Sequence, residues 1–298
     1  MSKYLLLDSC ISSKNLRAVT QCHAQIICNG KDYNDFVRSK LASAYASCGR
    51  MSESLHLFSF CYRRGTFLYN SIIRGFASVS HFSASLAFFR RMIDDGKSSD
   101  QHTLPSVLKA CAGLSAMSLE RQVHGMVIIQ GYVSDVANSN ALISAYGKLG
   151  DFVAADKVFG RMPLKNEITW TSLMKAFGSH CKFPEVLMLF SRMLEEGIRP
   201  DAMCFTAILS ACSHGGMVEE GMQVFNSMDE TYAVRPRLEH YTCVVDMLGR
   251  AGRLEEAEDI IMNMELNPDE ALLRSLLGAC RIHGRLDVAR RVAGKVTS

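Results

Sequence analysis

Gly197-Ile-Arg-Pro-Asp201 closes one stretch of this chain, and three other stretches close in a similar way: Gly96-Lys-Ser-Ser-Asp100, Gly131-Tyr-Val-Ser-Asp135 and Leu266-Asn-Pro-Asp269. Successive joints lie about 35 residues apart, or twice that. A period in this range marks a stack of similar helix pairs, each packing on its neighbours, rather than a globule around one buried pocket. Function is then to be sought along a surface, repeat by repeat.

Working outward from these joints, the chain tiles into repeats at 35–65, 66–100, 101–135, 136–166, 167–201, 202–237 and 238–269, of 31, 35, 35, 31, 35, 36 and 32 residues. Residues 1–34 fit as a repeat lacking its first residue, because Cys10, His23 and Gly30 fall in register with Cys111, His124 and Gly131. Residues 270–298 begin one more helix pair. At the fifteenth place stand Gly49, Gly150, Gly216, Gly252 and Gly284, where a turn between two helices needs a left-handed residue. At the twenty-fourth stand Phe58, Phe89, Phe159, Phe190 and Phe225, and at the twenty-seventh Met92, Met162, Met193, Met228 and Met264. Three residues apart, Phe and Met share one helix face and are expected in the core. Pro163, Pro200, Pro236 and Pro268 follow second helices, Pro184 opens one and Pro105 sits in a first turn. No stretch alternates long enough for a sheet, so the fold class is all-α.

Composition excludes more than it assigns. The 298 residues carry a net charge of +3, with 48% hydrophobic and 21% charged residues, which is compatible with nucleic-acid binding without arguing for it. The 11 cysteines are an odd number and contain no Cys-x-x-Cys pair, so reduced thiols are expected, and neither a metal nor another cofactor. No apolar run approaches a membrane span, and because Met1 falls inside the first repeat no presequence is expected within this sequence: either the protein stays where it is made, or an organelle-targeting segment is missing from the sequence. None of the nine histidines is followed two places on by Glu, and there is no Pro-Cys-x-x-Cys, phosphate-binding loop, Gly-x-Ser-x-Gly or His-Glu-x-x-His. No catalytic residues, and no small-molecule substrate, are expected.

The 34-residue tetratricopeptide signature is absent. By contrast, Leu68-Tyr-Asn70-Ser-Ile-Ile73 and Trp170-Thr171-Ser-Leu-Met174 resemble first helices of pentatricopeptide repeats (PPR), and Gly197 to Asp201 resembles that family's repeat ending. The run of 35, 35 and 31 residues over 66–100, 101–135 and 136–166 resembles the P, L and S types of the plant PLS subclass. So do the phrases at 104–112, 140–148, 208–214 and 239–257. The phrase Leu276-Leu-Gly-Ala-Cys-Arg-Ile-His-Gly284 resembles the start of a partial E-type extension, over 270–298, with no DYW deaminase domain after it. Leu273 stands where that extension usually has Trp.

The resemblance implies a right-handed α-solenoid superhelix of stacked helix-turn-helix repeats that binds single-stranded RNA, one base per repeat. In it the fifth residue of a repeat and its last residue meet one base edge, while an apolar second residue lies between bases. Carried over, Asn70 with Asp100 resembles a uridine pair and Asn140 with Asn166 a pyrimidine pair leaning to cytidine. Thr171 with Asp201, and Thr242 with Asp269, resemble guanosine pairs. Phe67, Ile168 and Met203 take the sandwiching role. The implied tract is U-N-Y-G-N-G, read 5′ to 3′. The implied function is site recognition for C-to-U editing in a mitochondrion or chloroplast, with a deaminase or accessory protein in trans. Transcript stabilisation, splicing and a protein-interaction scaffold are the alternatives. The plainer expectation for the Asn and Thr residues is a solvated helix position or cap, for Asp100 and Asp201 a helix end, and for His23 and His124 a packed second-helix residue.

Overall fold

The computed structural model describes residues 9, 11–30 and 34–296; Cys10, used above to place the first repeat, lies outside them. The described residues are helices joined by short turns, with no strand. In chain order they are α1 (Leu16–Cys28), α2 (Asp35–Ser47), α3 (Met51–Ser59), α4 (Thr66–Ser78), α5 (Phe82–Asp94), α6 (Leu104–Gly113), α7 (Met117–Ile129) and α8 (Val136–Leu149). They continue as α9 (Phe152–Arg161), α10 (Glu167–Gly178), α11 (Phe183–Glu195), α12 (Ala202–Gly215), α13 (Val218–Glu230), α14 (Leu238–Arg250), α15 (Leu254–Asn263), α16 (Glu270–Ile282) and α17 (Leu286–Val296). The chain forms two compact parts, Met1–Ala145 and Tyr146–Ser298, and α8 runs through the division.

Within each part, successive first helices lie side by side. In the first, α2 packs on α4 and α4 on α6; in the second, α10 packs on α12, α12 on α14 and α14 on α16. The second helices α3, α5, α7, α11, α13, α15 and α17 pack back against their own first helices. The turn between them is left-handed at the fifteenth place whether or not glycine is there. Gly49, Gly150, Gly216, Gly252 and Gly284 have φ of 67 to 79°, and Lys14, Ser80, Ser115 and Cys181 occupy the same place with φ of 51 to 60°. A non-glycine residue there costs about 1 kcal/mol or more, so four repeats hold this turn through packing rather than local preference.

The core follows from the two predicted columns. Phe58, Phe89, Phe159, Phe190 and Phe225 are buried, as are Met92, Met162, Met193 and Met228, while Met264 is only half-buried. Four of the five Phe residues meet the fourth residue of the next first helix. Phe58 lies edge-on to Tyr69 with ring centres 5.2 Å apart, Phe159 to Trp170 at 4.7 Å, Phe190 to Phe205 at 5.9 Å and Phe225 to Tyr241 at 5.3 Å. Edge-to-face pairs at these separations are favourable beyond the area they bury. Trp170 is therefore a core anchor. Where the fourth residue is wholly buried, as at Tyr69, Leu104, Trp170 and Phe205, it also fixes the rotation of the first helix and so the direction of the fifth.

The two repeat lengths have a local cause. Second helices of the 35- and 36-residue repeats run 13 residues (α5, α7, α11, α13), whereas those of the shorter repeats run 9 or 10 (α3, α9, α15). The missing residues are removed from the second helix and the turn after it, leaving the first helix unchanged.

Candidate nucleic-acid interface

Among the described residues, every first helix but one begins on the first residue of its repeat, so the last residue of the preceding repeat becomes its cap. Asn166 Oδ1 accepts from the Thr169 N–H at 3.0 Å, Asp201 Oδ1 from Cys204 at 2.8 Å, and Asp269 Oδ1 from Leu272 at 2.9 Å. Of the two joints expected to be plain helix ends, Asp201 caps α12, whereas Asp100 lies three residues before the Thr103 cap of α6; a cap such as that of Asp201 is worth about 1 kcal/mol. The exception is α6, which starts at Leu104. Proline fits only the first turn of a helix, and Pro105 pushes the start three residues in.

Capping also decides what each joint presents outward. In Asn166, Oδ1 is committed inward, since it accepts from both the Thr169 N–H and the Thr169 hydroxyl at 2.9 Å. Its Nδ2, a donor, is left over. In Asp201 and Asp269, one carboxylate oxygen caps the helix and the second oxygen, an acceptor, is left over. Asn and Asp at this place therefore differ in the sign of the group they offer.

Six fifth residues, Pro105 and Arg274 apart, fall into three states among the described residues. Asn70 is bonded across the joint: its Nδ2 donates to both carboxylate oxygens of Asp100, at 2.9 and 3.0 Å. Its Oδ1 accepts from the Thr103 hydroxyl at 2.6 Å. Ser39, Thr206 and Thr242 instead turn back on their own helices, donating to the carbonyls of Asp35, Ala202 and Leu238 at 2.7, 3.0 and 2.8 Å. Asn140 and Thr171 are nearly enclosed, 9% and 6% exposed, and Asn140 Oδ1 and Thr171 Oγ1 have no hydrogen-bond partner. A buried polar atom left so costs about 1–3 kcal/mol until a partner satisfies it.

Asp100 is the most heavily bonded joint. Burial pushes its pKa up, but the Thr103 hydroxyl, the N–H groups of His102 and Thr103, and the Asn70 amide outweigh that and hold it below the ordinary 3.8. It is a fixed carboxylate at neutral pH, able only to accept.

Beside the fifth residues stand exposed apolar second residues. Phe67, Ile168 and Met203 are 47%, 55% and 47% exposed, although most comparable side chains of the chain are buried. Two members of this surface escaped the sequence reading. Phe36, at the second place of its repeat, is 57% exposed, and the Lys40 ammonium lies 5.9 Å from its ring centre and 5.2 Å from that of Phe67. They were overlooked because Ser39 and Gly65 form no readable pair, although the second-place column would have found Phe36. Thr103 was overlooked too, since its partner Asn70 lies 33 residues away.

Ion pairs occur on both kinds of helix, on first helices as Arg38 with Asp35, Arg250 with Asp246 and Arg274 with Glu270. On second helices and their turns, Arg50 pairs with Glu53, Arg192 with Glu196, Arg253 with Glu219 and Glu256, and Arg291 with Glu258. On first helices, Arg74, Lys109 and Lys175, one turn beyond the fifth place, are exposed and form no ion pair among the described residues. No cluster of metal-ligating side chains occurs, and no helix is long and apolar enough to cross a membrane, among the described residues.

The PPR repeat model matches residues 67–96, 139–166, 203–230 and 239–267, and the PPR repeat family model matches 165–214. A putative mitochondrial pentatricopeptide repeat-containing protein of Arabidopsis thaliana is 36% identical over 98% of this chain and 47% of its own length. The chloroplastic pentatricopeptide repeat-containing protein CRR2 of the same plant is 32% identical over 98% of this chain and 45% of its own. The chain thus spans somewhat less than half the length of these relatives. Among solved structures, the pentatricopeptide repeat protein PPR10, from maize, in complex with an 18-nt psaJ RNA element superposes with a TM-score of 0.76 at 15% identity. That match covers 94% of this chain and 42% of the other, and shows that the fold is the helix-pair solenoid. The repeat matches in both parts of the chain, with relatives similar over almost all of it, show that this protein belongs to the pentatricopeptide repeat family.

Proposed function

We propose that this chain binds single-stranded RNA with sequence preference, one base per repeat, in the RNA metabolism of a plant organelle. The observation that carries the reading is the Asn70–Asp100 pair, a fifth residue bonded to a last residue at 2.9 and 3.0 Å beside the half-exposed Phe67 ring. Aromatic and apolar faces of this kind supply stacking of about 1–3 kcal/mol per base, and Arg74, Lys109 and Lys175 supply unpaired positive charge on the same helices for phosphates. PPR10 was solved with RNA, and the relatives are mitochondrial or chloroplastic proteins.

Base preference follows from donor and acceptor chemistry. Uracil and guanine carry an N–H at the centre of the pairing edge, whereas cytosine and adenine carry a lone pair there. A carboxylate oxygen, as at Asp100, Asp201 and Asp269, accepts from the first two and repels the others. The outward Nδ2 of Asn166 donates to cytosine. Thr171 and Thr242, shorter than Asn70, leave room for guanine. The tract is U-N-Y-G-N-G, with Phe67, Ile168 and Met203 between bases and Asn140 beside the pyrimidine. At about 0.5–1.5 kcal/mol per net hydrogen bond, each repeat discriminates roughly several-fold, so selectivity is a sum over repeats.

The finer reading is a PLS-subclass protein whose repeats occupy 1–269 and whose residues 270–298 form a partial E-type extension. In this reading it directs C-to-U editing, with a deaminase supplied in trans. Gel shifts with short RNAs carrying the tract, each position varied in turn, test the binding; equal affinity for every RNA overturns it. Sequencing organellar transcripts from a null line tests editing: a restored cytidine at a site downstream of the tract supports it. Altered transcript abundance or splicing with no such cytidine points to stabilisation or splicing instead.

A further inference from the structure

The Asn70–Asp100 pair has a third member. The Thr103 hydroxyl donates to Asn70 Oδ1 at 2.6 Å, lies 3.0 Å from Asp100 Oδ1, and accepts from the Asp100 N–H at 3.1 Å. Thr103 is wholly buried and belongs to the next repeat. The geometry points to Thr103 as a positioning residue that sets the base preference of the preceding repeat by fixing the orientation of the Asn70 amide. This inference rests on the RNA-binding reading above and deepens it from two readout residues to three.

An amide has two orientations that exchange its oxygen for its NH2 group. In the observed one, Nδ2 faces the Asp100 carboxylate and Oδ1 faces the Thr103 hydroxyl, which donates to it at 2.6 Å while accepting from the Asp100 N–H. The hydroxyl has one proton and two oxygens in reach, and the closer is Asn70 Oδ1, at 2.6 against 3.0 Å for Asp100 Oδ1. The flipped amide would forfeit that short bond and set its oxygen against the carboxylate, which can only accept. Both clamps hold the same orientation, which leaves one amide N–H and the carboxylate to face a base. Uracil matches this with a carbonyl oxygen beside an N–H. Cytosine, with an amine beside a lone pair, matches the flipped amide better.

The third place elsewhere supplies a control. Thr169 makes the same capping contacts with Asn166: its hydroxyl lies 2.9 Å from Asn166 Oδ1 and accepts from the Asn166 N–H at 3.2 Å. Any effect of Thr103 that arises from helix capping alone should be reproduced at Thr169, at that joint.

The test measures affinity of the full chain for four single-stranded RNAs of sequence N-A-C-G-A-G, with U, C, A or G at N. Thr103→Val should lower the ratio of U to C affinity about three- to tenfold. Thr103→Ser, which keeps the hydroxyl, should retain the wild-type ratio, and Thr169→Val should leave it unchanged. If Thr103→Val does not fold, Thr103→Cys, of similar size with a weak donor, carries the same comparison. An unchanged U to C ratio in the Thr103 variant, while Asn70→Ala alters it, overturns the inference and leaves the RNA reading intact. No discrimination at N by the wild-type chain overturns the RNA reading itself, and the inference with it.

Discussion

The joint after repeat 66–100 and the joint after repeat 167–201 carry similar sequence endings and are wired in opposite ways. At the first, Asn70, Asp100 and Thr103 satisfy one another, and the carboxylate takes bonds from two backbone N–H groups besides. At the second, Asp201 makes one capping bond, to the Cys204 N–H, and the buried Thr171 hydroxyl faces the Cys204 thiol without a hydrogen bond of good geometry. The residue after each joint explains the difference. Thr103 at the third place offers a hydroxyl, and Cys204 at the same place offers a buried thiol, a weak donor. A pre-bonded joint is rigid and already shaped for its base; a joint with an orphan hydroxyl has unspent hydrogen-bonding capacity that a base would satisfy.

Tests by pH meet a larger effect first. Glu120 on α7 is wholly buried with both oxygens unpaired, and burial pushes its pKa from 4.5 up to about 8. The folded state holds this proton while the unfolded state releases it, so stability is highest below the ordinary value and declines as pH rises from about 4.5 to about 8. Glu120→Gln should remove roughly a few kcal/mol of that decline, measured as thermal midpoints across this range; an unaltered pH profile contradicts the buried carboxyl. Asp100 acts the other way. Its lowered pKa gives stability that is present above the ordinary carboxylate range and lost as pH falls through the folded value.

With Glu120 replaced, the joints can be compared directly. Asp100→Ala strands the Asn70 amide and the start of α6, and should cost about 2–3 kcal/mol. Asp201→Ala removes a single cap and should cost about 1 kcal/mol. Equal losses in chemical denaturation would erase the contrast. Smaller, and opposite in sign, are the two hydroxyls: Thr171→Val should raise stability by up to about 1 kcal/mol by removing an unpaired buried oxygen, whereas Thr103→Val should lower it. The smallest effect is one of preference. Thr171→Asn should move the base read by that repeat from G toward U by roughly several-fold, leaving the other positions alone in the same RNA panel; a loss of affinity for all four bases alike would mean the residue is structural.

Much of this was legible in residue order. The period, the Phe and Met columns and the helix ends at proline come from local spacing. The last-place Asp and Asn residues could be named as joints because capping residues are chosen by the few residues after them. What spacing hid was any contact between repeats. Ser80, Ser115 and Cys181 gave no sign of a left-handed turn, since only neighbouring helices force it there. Thr242 reads like Thr171, yet one hydroxyl bonds its own helix and the other is unpaired, a distinction made by rotamer and packing.

By itself, then, the sequence determined that the chain is a row of helix pairs and which places in each repeat face the core, because helical periodicity and chain breakers act within a few residues. Only the tertiary structure decided the chemical state of each fifth place: bonded across a joint, turned back, or left open. That state depends on side chains about 30 residues apart in the chain, and no local rule links them.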